Sequence, residues 1–283
     1  MITVKDRYIN PFTDFGFKKI FGEEANKDLL IDFLNQLLKD KVVIKDLKYL
    51  QGEKLGRTAE ERKAIFDLFC ESDDGEKFII ELQRAKQEYF KDRSIYYSTF
   101  PIQEQALKGD WKYQLKAVYT IAIMDFKFND TDEEQYLHEV RLVETRTKKV
   151  FYDKLSFVYI EMPKFNKPLE KLETLFEKWI YVLKALPNLQ ERPGALQERV
   201  FKKLFKVAEI AKYNKEEQYA YQNSLKAYWD FRETIRTAVK DTVEGIIIDG
   251  LKEGLSPFVL SKITKVPTPT ILKIQKELNS KPS

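Results

Sequence analysis

Two acidic residues, Asp67 and Glu81, stand where a buried strand would carry apolar ones, and they constrain the chain more than any other feature. They lie in residues 63–85, K-A-I-F-D-L-F-C-E-S-D-D-G-E-K-F-I-I-E-L-Q-R-A. This stretch reads as two short apolar strands joined at Ser72-Asp73-Asp74-Gly75, residues that tolerate tight backbone geometry. Alternation puts Ile65, Asp67 and Phe69 on one face of the first strand and Ile79, Glu81 and Gln83 on one face of the second. A three-residue loop pairs Ser72 with Glu76, and the same register sets Asp67 opposite Glu81. Opposed antiparallel residues have Cβ atoms roughly 4.5–5.5 Å apart, and like charges there are destabilising. A shared proton, a basic neighbour or a bound cation would relieve the pair. A divalent cation with oxygen ligands suits two convergent carboxylates best, and Mg²⁺ takes one or two of them from a protein. A register slip of one residue would send the acids to opposite faces. An edge hairpin with both acids solvated would also account for the same residues.

Composition narrows the chemistry further. The single histidine, His138, excludes zinc sites built on several histidines and lies in T-D-E-E-Q-Y-L-H-E, with no nucleophile signature nearby. No Gly-rich phosphate loop is present, so an enzyme of this composition would work through carboxylates. One cysteine, Cys70, excludes an internal disulfide and fits a reducing cytoplasm; by alternation it faces away from Asp67 as a core residue. No apolar run reaches the ~20 residues of a membrane span, and the start M-I-T-V-K-D-R lacks a signal-peptide core. The net charge is +4, and its whole surplus lies in the tail, where six lysines from Lys252 to Lys281 face only Glu253 and Glu277. Solvated lysines explain such a tail, and so does non-specific phosphate contact.

Periodicity places helices at residues 13–21, capped by Thr13 or Asp14, and at 26–38, then a short strand at 42–50 and a polar connection, G-E-K-L-G-R-T-A-E-E-R. After the hairpin, residues 87–108 read as a helix that Pro101 should kink or break. Strand-like runs follow at 117–128, 139–151 and 155–165, and helices at 169–186, 196–213 and 216–249. Two short helices around residues 265–268 resemble a helix-turn-helix or a terminal packing pair. Strands grouped between helices predict an α/β core with a helical C-terminal subdomain.

The segment I-F-D-L-F-C…F-I-I-E-L-Q-R resembles the D…E-x-Q signature of the Rpn family of recombination-promoting, transposase-associated nucleases, within the PD-(D/E)XK superfamily. Further landmarks are T-D-F-G-F-K-K-I-F-G, N-K-D-L-L-I-D-F-L-N-Q-L-L, R-S-I-Y-Y-S, K-G-D-W-K-Y, V-Y-T-I-A-I-M-D-F and E-M-P-K-F, in order over residues 10–165. The resemblance implies a restriction-endonuclease-like core, a mixed central sheet flanked by helices, that hydrolyses DNA phosphodiesters with Mg²⁺, or Mn²⁺ in its place. Asp67 takes the first metal-binding position and Glu81 the second. Gln83 takes the position that is lysine in most of the superfamily. Glutamine carries no charge and is no general base near neutral pH, so its implied task is to orient water or hold a phosphate oxygen.

Arg93 and Tyr97, four apart on the next helix, would brace the acids or reach phosphate, or simply form a helix surface. Lys18 or Lys19 would replace the missing lysine from the first helix. Asp14 and Asp125 are further acidic candidates. The expected organisation is a nuclease-like core at 1–166, a helical subdomain at 167–250 and a basic helical tail at 251–283, in a cytoplasmic protein that acts on DNA and leaves a homo-oligomer open. A catalytically silent nucleic-acid-binding or protein-interaction module on the same fold is the alternative. An RNase H-like transposase would need a third, distant carboxylate, and none stands out.

Overall fold

The structure, a computed structural model, describes residues 6–54, 64–106 and 112–280. The Lys63 end of the hairpin, residues 55–62 of the polar connection, the first four residues of K-G-D-W-K-Y and the end of the 87–108 segment lie outside the described residues, as does Lys281.

Eight strands are described: β1 (Leu47–Tyr49), β2 (Glu53–Lys54), β3 (Ala64–Ile65), β4 (Leu68–Ser72), β5 (Lys77–Gln83), β6 (Val118–Met124), β7 (Leu137–Val143) and β8 (Val150–Glu161). Six of them form one mixed sheet in the order β1-β4-β5-β6-β8-β7, while β2 and β3 pair separately. β5, β6 and β8 run parallel, and β1, β4 and β7 are antiparallel to their neighbours. Every residue of β6 is buried, as expected of a central parallel strand covered on both faces. The hairpin therefore sits inside the sheet, so the solvated edge hairpin is ruled out.

The hairpin keeps the predicted register, with Leu68 opposite Ile80 and Phe69 opposite Ile79. Its turn closes through Ser72 N–H to the Glu76 carbonyl at 3.0 Å and Gly75 N–H to the Ser72 carbonyl at 2.8 Å. Gly75 adopts φ 84°, a region that favours glycine. The first strand is not continuous, however. It breaks at Phe66–Asp67, because Ala64–Ile65 leaves the main sheet to pair with Glu53–Lys54. Two other expectations also fail locally. The run expected at 139–151 divides at residues 144–149, where the Glu144 carboxylate accepts from the N–H groups of Arg146 and Thr147 and closes a β7–β8 loop. The helix over Phe90–Glu104 continues through Pro101, which falls in its last turn, where little of the helix remains to be broken.

The other helices are α1 (Asp14–Phe21), α2 (Lys27–Leu37), α4 (Leu175–Ala185), α5 (Arg199–Val207), α6 (Lys215–Lys252), α7 (Pro257–Thr264) and α8 (Thr268–Ser280), with Phe90–Glu104 as α3. Thr13 caps α1, its hydroxyl accepting from Gly16 N–H at 3.0 Å. α1 is further fixed by Phe15 N–H to Ser224 Oγ at 3.0 Å and by Lys19 to Glu217 at 2.6 Å. Trp179 of α4, fully buried, packs on Phe21 of α1 and Phe33 of α2 and donates to Asp32 at 2.6 Å.

The chain divides into two compact units, Met1–Ser224 and Leu225–Ser283. Residues 167–224, the first part of the segment 167–250, fall in the same unit as the sheet, where α4 and α5 bury Trp179, Phe201, Leu204 and Phe205. In the second unit Ile247, Leu260 and Ile271 form a small core joining α6, α7 and α8. Among the described residues no helix is long and apolar enough to cross a membrane.

Since Trp179 couples α4 to α1 and α2, Trp179→Ala should cost about 3–5 kcal/mol of stability, read from chemical denaturation. A loss below about 1 kcal/mol would show that this junction is not packed as described.

Candidate active site

Glu81 lies near the carboxyl end of β5, one of the three parallel strands, where open α/β sheets place their ligands. Asp67 lies just before β4, where the break in the first strand leaves its backbone outside the ladder. The two residues clamp each other through the backbone. The Asp67 carboxylate (Oδ2) accepts from Leu82 N–H at 2.7 Å, and the Glu81 carboxylate (Oε1) accepts from Asp67 N–H at 3.4 Å. The opposition inferred from the turn is thus present, held by each acid on the other's strand. Leu82, between Glu81 and Gln83, is half-buried.

The electrostatics follow from burial. Glu81 is 7% exposed, and burial, reinforced by the Asp67 charge, raises its pKa to about 8. Burial also raises that of Asp67, which the Leu82 N–H, Lys18 and Arg84 partly oppose. Among the described residues the nearest cation to Glu81 is Arg93 of α3, 3.9 Å from its Oε2. Arg93 also donates to Gln83 Oε1 and to Gln87 Oε1, each at 2.5 Å, and lies over the rings of Phe90 and Tyr97. Gln83 uses its other end as well, donating from Nε2 to the Ala85 carbonyl at 2.9 Å.

Asp67, Glu81, Gln83 and Arg93 are therefore brought into one chain of contacts. Tyr97 joins it from beneath, edge-on to Phe66 with ring centroids 5.3 Å apart. Asp14 and Lys18 line a cleft of about 520 Å³ with Asp67, Gly22, Tyr49 and Phe66. They pair with each other at 2.9 Å. Lys19 turns to Glu23 and Glu217. Asp125 donates from its N–H to the Gln83 carbonyl at 2.9 Å. The Cys70 thiol is buried and raised to about 12, as a core residue would be.

Sequence reasoning missed the Gln83–Arg93 contact; the only hint was the ten-residue spacing between them across a strand-to-helix connection. It also missed a second buried carboxylate, Glu161 at the end of β8. Glu161 accepts from Phe128 N–H at 2.8 Å, Thr131 at 2.9 Å and Lys164 at 3.1 Å, and contacts His138 Nε2 at 2.6 Å. These partners hold its carboxyl below the usual range despite burial. That network is fully satisfied and ties the chain after β6 to β8.

The Asp67–Glu81 pair fits a small divalent cation. Each acid spends one oxygen on backbone, leaving Asp67 Oδ1 with no hydrogen bond among the described residues and Glu81 Oε2 with only the distant Arg93. No group of three or more His, Cys, Asp or Glu ligands gathers among the described residues. A cation here would complete its shell with water and phosphate oxygens, as Mg²⁺ commonly does.

A family model described as PD-(D/E)XK nuclease family transposase matches residues 11–238. The chain belongs to this family. The match takes in the whole six-stranded sheet, the hairpin and α3, and the mixed sheet flanked by helices is the α/β architecture of a PD-(D/E)XK nuclease. No curated protein and no solved structure matches the chain. Family membership gives a nuclease- or transposase-related function, that of a hydrolase acting on nucleic acids.

The raised pKa of Glu81 has a consequence for stability. Its folded form holds a proton more tightly than the unfolded chain, whose glutamates titrate near about 4.3. The resulting stabilisation is full below that value and is lost as pH rises through about 8. In chelator, the melting temperature of the wild type should fall more steeply between about pH 5 and 8 than that of Glu81→Gln. Parallel pH profiles would mean that Glu81 is not held as an acid in the folded protein.

Proposed function

We propose that the protein is a divalent-cation-dependent DNA endonuclease, in which Asp67 and Glu81 hold the cation and Arg93 faces the phosphate. The observation that carries this reading is the Asp67–Glu81 clamp beside a cleft that Asp67 lines: a half-buried and a buried carboxylate, each with one oxygen that accepts no hydrogen bond among the described residues, where Arg93 at 3.9 Å is the one cation within ion-pair reach of Glu81. Mg²⁺, or Mn²⁺ as a substitute, would supply Lewis acidity to the phosphodiester and lower the pKa of the attacking water. Glu81, whose pKa burial raises to about 8, would release its proton to solvent on taking up the cation. DNA is the substrate that the transposase description of the family favours.

Gln83 holds Arg93 beside Glu81, its Oε1 accepting from the guanidinium while its Nε2 donates to the Ala85 carbonyl. The second N–H and second lone pair of the amide leave it able to orient water or hold a phosphate oxygen as well. The guanidinium then brings to the site the positive charge that lysine supplies in most of the superfamily, from a helix instead of the strand. Its forked donors suit a phosphate oxygen pair.

The same engagement of Gln83 favours a second reading, a silent nucleic-acid-binding module on the nuclease fold. Nicking of supercoiled plasmid with Mg²⁺ or Mn²⁺ separates the two. Asp67→Ala and Glu81→Ala should each abolish nicking, and Arg93→Ala should lower its rate about 10²-fold, with Arg93→Lys retaining more. Nicking that survives both acid substitutions would overturn the assignment. A folded wild type that binds DNA and never nicks it would establish the silent module.

A further inference from the structure

A second groove, of about 690 Å³, lies on the other side of Lys19 and Glu23, which line both it and the acidic cleft. Its charge is one-sided: Lys19, Arg199, Lys202, Lys203, Lys206 and Lys212 line it, against only Glu23 and Glu217. Both of those carboxylates are already neutralised by Lys19, at 2.9 and 2.6 Å. Lys203 is held by Asp28 and Lys212 by Glu209. Arg199, Lys202 and Lys206 are left exposed on α5, their side chains without a hydrogen bond or ion pair among the described residues.

The helix itself does not explain these three cations. Burial of Phe201, Leu204 and Phe205 fixes which face of α5 turns inward, and the cations occupy the opposite face. A base in the last turn, such as Lys206, favours the helix dipole, but Arg199 stands in the first turn, where positive charge opposes it. Arg199 to Lys206 spans about 10 Å of helix axis, over which one strand of a DNA duplex presents about three phosphates. Positive charge at that spacing, beside a cleft that would act on a phosphodiester, is complementary to the continuing polymer backbone.

We propose that this groove binds the phosphodiester backbone of the nucleic-acid substrate next to the segment held at Asp67 and Glu81, through Arg199, Lys202 and Lys206. The identity of the polymer rests on the nuclease reading above, whereas the binding can be measured without cleavage. Anisotropy of a labelled DNA duplex, in chelator and across a salt series, compares the wild type with Arg199→Gln/Lys202→Gln/Lys206→Gln and with Asp67→Asn/Glu81→Gln. The triple variant should bind more weakly, and its log–log salt slope should be shallower by about 2–3. The acid variant should keep the wild-type slope.

An unchanged slope and affinity in the triple variant would overturn the groove, as would a wild type that does not bind DNA. Wild-type binding to anionic phosphatidylserine vesicles that the triple variant loses, with DNA affinity unchanged, would assign the surface to a membrane instead. Salt-dependent binding that needs the three cations, in a protein that never nicks DNA, would leave the groove standing and remove the catalytic reading. If the triple variant does not fold, Lys202→Gln alone, at an exposed position, should lower the slope by about 0.9, and no change there would overturn the proposal.

Discussion

The opposition of a buried and a half-buried carboxylate in one hairpin is the constraint on which the site depends. Asp67 and Glu81 cannot both ionise cheaply among Phe66, Phe69 and Ile79. The fold retains them through backbone donors on each other's strand, which orient the carboxylates without neutralising them. A buried pair arranged only for stability would carry a cation at contact distance, as Glu161 does with Lys164. Arg93 stops at 3.9 Å from Glu81 and gives its shorter hydrogen bonds to Gln83 and Gln87. The two buried acids of this sheet therefore differ in kind: Glu161 has a lysine at contact distance, whereas among the described residues Glu81 has only Arg93, at 3.9 Å.

The surrounding fold serves that arrangement. β5 is locked between β4 and the fully buried β6, which fixes Glu81 and Gln83 in register, and α3 returns Arg93 to the end of the same strand. On the other side α1 brings Asp14 and Lys18 to the cleft, and its own position is set by Thr13, by Trp179 and by the first turns of α6. Acidic cleft and basic groove share α1 as a wall. One element thus separates the proposed cation site from the proposed backbone track.

The sequence made the pairing of Asp67 with Glu81 legible because the Ser72–Glu76 turn determines the register and alternation carries it down both strands. It also disclosed α1 and α2, whose apolar spacing and Thr13 cap are local signals. The break at Phe66–Asp67 was not legible, because it arises when Ala64–Ile65 finds a distant partner in Glu53–Lys54. The β7–β8 loop escaped for a similar reason: Glu144 closes it through side-chain hydrogen bonds that leave no trace in strand alternation. Gln83, expected to orient water or hold a phosphate oxygen, also holds Arg93. Its link to Arg93 depends on how α3 packs beside β5, and a one-dimensional pattern carries no such information.

The most direct test of the proposed cation site is the structure of a Mn²⁺-soaked crystal, read by anomalous difference density. A single peak about 2.1 Å from oxygens of both Asp67 and Glu81, opening to the cleft beside Asp14, is the expected result. Density elsewhere, or none while the pair remains hydrogen-bonded as described, would contradict a catalytic cation between the two acids.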